Sequence, residues 1–271
     1  MRISEWIVLA YAGYLVIAAF VRPVRRASRV WLLSGAPALA AAVVVMAWVA
    51  PAWPVAQKLR DLAPLTYLLA CYKLSGLLFF APQPGVEARF ARFDARVQRA
   101  VGMPESVARA PRSLAEFLEA SYFACYLALP AGLVVLMAGG RPSDADRYWA
   151  LVILATLACY GMLPWIRTRA PWALEPRGPM DRRVVTMRRL NWWVSRNASI
   201  QVNTFPSAHT AAALAVALAV ARASPAAGAL FLFIAVSIAV ATFVGRYHYA
   251  GDSLAALAPT LLAWAATSIA W

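Results

Sequence analysis

The chain has 271 residues, of which 62% are hydrophobic and 14% charged, and its mean hydropathy is +0.62. A water-soluble domain of this length needs a polar surface that the composition does not supply, and intrinsic disorder is excluded on the same ground. With 26 Lys and Arg against 12 Asp and Glu the net charge is +14, which in so apolar a chain fits loops lying on anionic headgroups better than a nucleic-acid surface. Cys71, Cys125 and Cys159 sit in apolar runs without C-x-x-C spacing and read as buried thiols.

A bilayer core of about 30 Å requires roughly 20 apolar residues per helix. About eight such runs occur, bounded by Arg, Pro or Gly: Trp6–Val21, Val30–Val49, Leu62–Ala81, Phe117–Ala138, Tyr148–Ile166, Ala208–Ala221, Ala226–Val244 and Ser253–Trp271. The first and sixth are short, so the count is seven or eight. Behind Trp6–Phe20 stand Arg22, Pro23, Arg25 and Arg26 rather than a small-residue cleavage site, so this run reads as a first membrane helix and not as a cleaved leader. Trp6, Trp53, Trp149, Trp165 and Trp271 near run ends fit anchoring at headgroup level. The predicted fold class is all-α, a polytopic membrane helix bundle.

Two long Arg-rich connections, Pro82–Glu116 and Arg167–Pro206, interrupt this pattern. Phe90, Phe93, Val97 and Val101 recur at helical spacing among Arg89, Arg92, Arg96 and Arg99. Val185, Leu190, Trp192 and Trp193 stand beside Arg182, Arg183, Arg188 and Arg189. Both stretches, over 86–101 and 184–194, read as helices lying in the membrane surface; the alternative is a solvated loop with scattered apolar residues. With eight helices, nineteen of the 26 Lys and Arg residues fall on one face, which the positive-inside bias makes cytoplasmic. Asp94 and Glu87 within the first stretch read as balancing neighbouring arginines. Lys73, within the third run, either faces a polar cleft or snorkels to the interface. Asn197-Ala-Ser199 fits a glycosylation acceptor, meaningful only in a secretory pathway.

The chain contains two histidines, His209 and His248. Each stands where an irregular segment meets an apolar helix, and both segments belong to the Arg-rich face. In Asn203-Thr-Phe-Pro-Ser-Ala-His-Thr, Pro206 and Ser207 are natural helix-start residues, and a helix N-terminus offers unpaired N–H groups to an anion. In Gly245-Arg-Tyr-His-Tyr-Ala-Gly-Asp, His248 and Asp252 are four apart and share a face if helical, so the carboxylate can hold one imidazole nitrogen and leave the other basic. Arg246 and the Arg167-Thr-Arg169 pair converge on the same face. Titratable groups beside membrane helices default to functional hypotheses.

Phe205-Pro-Ser-Ala-His209 resembles the Pro-Ser-Gly-His motif of the type 2 phosphatidic acid phosphatase superfamily, and Arg246-Tyr-His-Tyr-Ala-Gly-Asp252 is similar to its Arg…His-x-x-x-Asp motif. Arg167-Thr-Arg-Ala-Pro171 sits where the Lys…Arg-Pro motif of that superfamily belongs. Three departures stand out. Only Tyr247 separates Arg246 from His248 where members commonly have five residues, a form more similar to the inositol phosphorylceramide and sphingomyelin synthase branch. Ala208 replaces the usual Gly, and Tyr160 and Met162 stand where the first-motif Lys would. The resemblance implies a six-helix phosphatase-type catalytic core over 62–271, preceded by N-terminal membrane helices over 1–61.

It further implies an integral membrane lipid phosphatase acting on a lipid or polyprenyl phosphate through a phosphohistidine. His248 would be the nucleophile, Asp252 its orienting carboxylate and His209 the acid and base. Arg246, Arg169, Arg167, Ser207 and Ala208 would bind the phosphate. The implied enzyme needs no metal and no cofactor, and its partners are a lipid phosphate and membrane lipids, with no nucleic acid. Lipid headgroup transfer is the first alternative, a non-catalytic lipid-binding relative the second, and a metal site of His209, His248 and Asp252 in a transporter or metalloenzyme a third.

Overall fold

A computed structural model describes residues 1–103, 109–139, 142–174 and 185–269, so the predicted roles of Arg182, Arg183, Val184 and Trp271 lie outside the described residues. Proline, serine and charge set the helix boundaries. Helix α1 (Ile3–Val21) ends where Arg22 turns extended ahead of Pro23. Helix α2 (Arg26–Val49) runs into a 3₁₀ turn, Ala50–Ala52, and α3 (Pro54–Gly76) begins on a proline, whose missing N–H costs nothing at the first helical position. The same device opens α4 (Pro84–Ala100). Then come α5 (Arg112–Ala138), α6 (Ala145–Gly161), a single helical turn at Pro171–Leu174, and α7 (Thr186–Asn197). The chain finishes with α8 (Ala208–Ala223), α9 (Pro225–Val244), α10 (Ala250–Ala255) and α11 (Leu257–Ile269). No named strand occurs among the described residues; a lone bridge joins Thr168 to Asn203.

Helix α6 is apolar nearly all round, with Tyr148, Trp149, Leu151, Val152 and Ile153 all buried, and such a helix must sit inside. It packs against α1, α3, α8 and α11. Helix α8 is alanine-rich, which lets α5, α6, α9 and α11 approach it closely, as small residues do in membrane bundles. The α8–α9 hairpin closes tightest at Gly228, where a Cβ would stand 2.4 Å from Ala221 Cα. Large apolar side chains point outward over much of the surface, Trp48 at 82% exposure and Leu262 at 71%, as a lipid-facing belt requires.

Polar contacts gather at the two ends of this belt. At the start of α1, Arg60 pairs with Glu5 at 2.6 Å, Arg2 with Asp61 at 2.6 Å, and Asp146 caps the N–H groups of Ile3 and Ser4. At its far end Arg22 donates to the Pro164 carbonyl at 2.7 Å and lies over the Trp165 ring, while Arg167 lies over Phe80. The architecture is an all-α membrane helix bundle.

Several predicted spans differ in detail. Among the described residues four helices are long and apolar enough to cross a membrane, namely α1, α2 with its 3₁₀ extension, α5 and α9, whereas α8 is a shorter apolar helix of 16 residues. Helix α3 begins at Pro54 rather than Leu62 and carries Lys58, Arg60 and Asp61, so the division between 61 and 62 falls inside a helix. The final run divides into α10 and α11, because Pro259 has no N–H for the Ala255 carbonyl and its ring crowds that turn. Both Arg-rich connections contain the helices the periodicity predicts, α4 and α7. Arg188, however, is buried rather than on a solvated polar face.

Candidate active site

Ser207 caps α8: its Oγ accepts from Thr210 N–H at 3.4 Å, and its own N–H donates to the Asp252 carbonyl at 2.9 Å. The preceding Phe205–Pro206 peptide is cis. This start sets His209 in the first turn of α8. His248 is delivered by the end of α9, where Arg246 N–H donates to the Phe243 carbonyl and Tyr247 N–H to that of Thr242, a Schellman closure. Such a closure needs one residue in the left-handed region, and here it is Arg246, with φ of 65°.

The two imidazoles meet. His209 Nδ1 and His248 Nε2 lie 3.1 Å apart, and the other nitrogen of His248, Nδ1, is 3.3 Å from Asp252 Oδ2. Asp252 is fully buried, and the same oxygen accepts from Tyr249 N–H at 2.9 Å and Asn203 Nδ2 at 2.8 Å. Asn203 Nδ2 also donates to Thr168 Oγ1 at 3.0 Å, so the segment containing Arg167 and Arg169 is tied through Asn203 to Asp252 and thence to both histidines. Asp252 Oδ1 has no partner among the described residues. With the Nδ1 proton of His248 held toward Asp252, its Nε2 lone pair faces His209 Nδ1–H.

The arginines are arranged differently from the convergence expected in the sequence. Arg169 makes a two-pronged pair with Glu87 of α4, Nε to Oε1 at 3.0 Å and Nη2 to Oε2 at 2.8 Å, and this guanidinium holds the Glu87 carboxyl below its ordinary acidity range. Arg246 Nη1 donates to Asp94 of α4 at 3.1 Å. Arg167 donates through Nε to the Ala81 carbonyl and through Nη1 to that of Pro164, both at 2.8 Å. Backbone carbonyls in the segments that follow α3 and α6 therefore hold its guanidinium. The carboxylates Glu87 and Asp94 do balance arginines, but arginines about 80 and 150 positions away rather than neighbours on their own helix.

His209 stands at the junction of two spaces. A narrow polar recess is lined by both histidines with Tyr122, Trp172, Gln201 and Tyr247. A cavity of about 410 Å³, walled mainly by Leu65, Leu68, Leu69, Phe123 and Leu129, adjoins it. Tyr72, Tyr126, Ser199, Thr204 and His209 line both. Leu69 and Tyr126 are also exposed on the outer surface, so the apolar space lies against the belt between α3 and α5. Lys73 donates to the Ala198 carbonyl at the end of α7, fastening α3 to the rim.

Sequence reasoning did not single out a buried polar cluster behind the recess. Glu119 of α5 pairs with Arg188 of α7 at 2.6 Å and accepts from Asn191 Nδ2 at 2.8 Å and Tyr247 hydroxyl at 2.7 Å. Tyr247 in turn stacks on Tyr122, ring centres 3.7 Å apart, and Tyr122 lies against His209. Asn203 and Thr168 were likewise without an assigned role, although both lie inside motif segments. Among the described residues no group of three His, Cys, Asp or Glu side chains is disposed to hold a metal ion.

The site is thus a pair of imidazoles in contact beside an apolar cavity, set in a membrane helix bundle. The chain belongs to the PAP2 superfamily, whose family model matches residues 88–266, from α4 through most of α11. Members of that superfamily are generally phosphatases or phosphotransferases acting on lipid phosphates. No curated protein and no solved structure matches the chain.

Proposed function

We infer that the protein is an integral membrane enzyme that cleaves a lipid or polyprenyl phosphate through a phosphohistidine on His248. The observation that carries this reading is the 3.1 Å contact between His209 Nδ1 and His248 Nε2, with Asp252 behind the second ring. Once phosphate displaces the contact between the rings, the Nε2 lone pair of His248 attacks phosphorus as the bond to the leaving oxygen breaks, and His209, in its imidazolium form, gives that oxygen a proton and becomes neutral. In the second step His209 takes a proton from the incoming hydroxyl, whose oxygen attacks phosphorus while the P–N bond breaks and returns its electrons to His248. The imidazolium character that His248 gains is balanced by Asp252.

Negative charge on the equatorial oxygens is met by Arg246, Arg169 and the N–H groups at the start of α8 around Ser207 and Ala208. For Arg169 and Arg246 this means sharing each guanidinium between phosphate and its carboxylate partner on α4. Arg167, held by carbonyls, is left out of the phosphate site. A lipid tail fits the 410 Å³ apolar cavity with its head at His209.

Headgroup transfer is the second reading, favoured by the short Arg246-Tyr247-His248 spacing; a lipid hydroxyl or inositol then replaces water. The test is to give the purified protein phosphatidic acid and polyprenyl phosphates, with and without diacylglycerol, ceramide or inositol. Released phosphate supports hydrolysis, new phospholipid supports transfer, and neither product from any combination leaves a non-catalytic relative. Replacing His248→Ala must abolish whichever turnover is found.

A further inference from the structure

Helix α4 begins before the family match and carries none of the three motif segments, yet it touches all three. Glu87 holds Arg169. Phe90 packs on Phe205, ring centres 4.9 Å apart, and on Tyr249 at 5.5 Å. Asp94 makes the most specific contacts of the helix: Oδ1 accepts from Ala250 N–H at 2.8 Å, and Oδ2 accepts from Arg246 Nη1 at 3.1 Å and from Gln98 Nε2 at 3.1 Å. Arg246 and Ala250 are the two ends of a five-residue loop whose middle residue is His248. One carboxylate therefore ties down both ends of the segment that presents the imidazole.

The physical setting gives this tie consequences. Asp94 is 2% exposed, and a carboxylate is placed in such a site only against compensating donors. Arg246 sits in the left-handed backbone region, which costs a residue with a side chain roughly 1–2 kcal/mol, and strained positions persist where surrounding contacts over-determine them.

We propose that Asp94 is a positioning residue, the carboxylate by which α4 fixes both ends of loop 246–250 and so aims His248 at phosphorus. This rests on the reading of His248 as the nucleophile. The groups facing Asp94 are Gln98 on its own helix, the Arg246 guanidinium and Ala250 N–H from the loop, and the Tyr249 phenol and Asp252 carboxylate beside α10. Burial pushes its carboxyl up to about 6, against the lowering pull of Ala250 N–H and Arg246 and with the Asp252 charge adding to the rise. Protonation at mildly acid pH therefore removes the charge that holds Arg246 while leaving an oxygen for Ala250 N–H, the same change that Asp94→Asn makes permanently.

The experiment compares wild type, Asp94→Asn, Asp94→Ala and Asp94→Glu in detergent micelles, with phosphatidic acid as probe, or a polyprenyl phosphate if phosphatidic acid is not turned over. Displacing the reacting group by an ångström costs on the order of a hundredfold, so Asp94→Ala is expected to lower kcat by about 10- to 100-fold with KM changed far less. Asp94→Asn should fall in between and lose the part of the acid limb near pH 6 that wild type shows, and Asp94→Glu should restore both rate and limb in part. A kcat for Asp94→Ala within about twofold of wild type, or an acid limb of unchanged midpoint in Asp94→Asn, overturns the proposal. Should Asp94→Ala not fold, the near-isosteric Asn variant carries the comparison. Turnover that survives His248→Ala sinks the nucleophile reading itself, whereas an inactive His248→Ala beside a fully active Asp94→Ala sinks only the role of Asp94.

Discussion

Asp252 receives three N–H donors on one oxygen and none on the other, which makes its substitution unusually informative. In Asp252→Asn the amide oxygen can take the place of Oδ2 and keep those donors, with the NH₂ group turned into the unpartnered Oδ1 position. The fold should survive while the counter-charge for His248 is lost; by analogy with other histidine–carboxylate pairs, kcat should drop by about 10³- to 10⁴-fold. Phosphate release together with a thermal melt in detergent checks it, and a full rate would remove Asp252 from the mechanism. Glu119→Ala should act the opposite way. It leaves Arg188 buried without its carboxylate and takes an acceptor from Tyr247, so about 3–5 kcal/mol of stability should go, read as a large fall in the melting temperature.

The convergence of the histidines is legible at this scale because the chain has only two and both stand where loop meets helix. The arginine partners are not legible. Glu87–Arg169 and Asp94–Arg246 are long-range pairs, and nothing local distinguishes Arg169, which faces a carboxylate, from Arg167, which faces carbonyls.

Among the elements, the surface helices and the α8–α9 hairpin show what pattern can and cannot fix. Helices α4 and α7 are readable from the spacing of Phe90, Phe93 and Val97 and of Leu190 and Trp193. Their orientation is not, because Glu116 capping the Thr186 and Met187 N–H groups and Phe90 wedging against Phe205 are tertiary contacts. Pro259 signals the break before it in the last run, although the hydropathy continues across without interruption. In the hairpin, a Cβ at residue 228 would collide with Ala221 backbone, which cannot move aside as a flexible side chain can. Gly228→Ala should therefore destabilise by about 1–3 kcal/mol despite alanine's better helix propensity; an unchanged melting temperature would mean that the two helices can part without loss.

For the molecule as a whole, the separation of polar contacts into two ends makes a topological prediction. Cys71, Cys125 and Cys159 are buried, so an impermeant maleimide should label the native protein little and report cleanly on an introduced thiol. Asn197→Cys, at the end bearing the histidines, and Arg222→Cys, at the other, should react from opposite sides of a sealed vesicle. The Arg-rich pattern predicts that Asn197→Cys faces the cytoplasm; labelling of both from one side would contradict the two-ended arrangement. The bundle class follows from the length of the apolar runs, since a bilayer leaves only helices and closed barrels to satisfy the polar backbone and runs of about 20 residues suit helices. Which helices surround α6 does not, because lipid-facing and helix-facing leucines look alike in sequence.

His209 closes the narrow recess on one side and the wide apolar space on the other. Under the proposed reading, a hydrocarbon chain seated in the wide space corks it, and the narrow recess, lined in part by Trp172 and Gln201, is the doorway left for an oxygen nucleophile. The choice between water and a larger alcohol then belongs to the width of that doorway, while the imidazoles serve either guest alike.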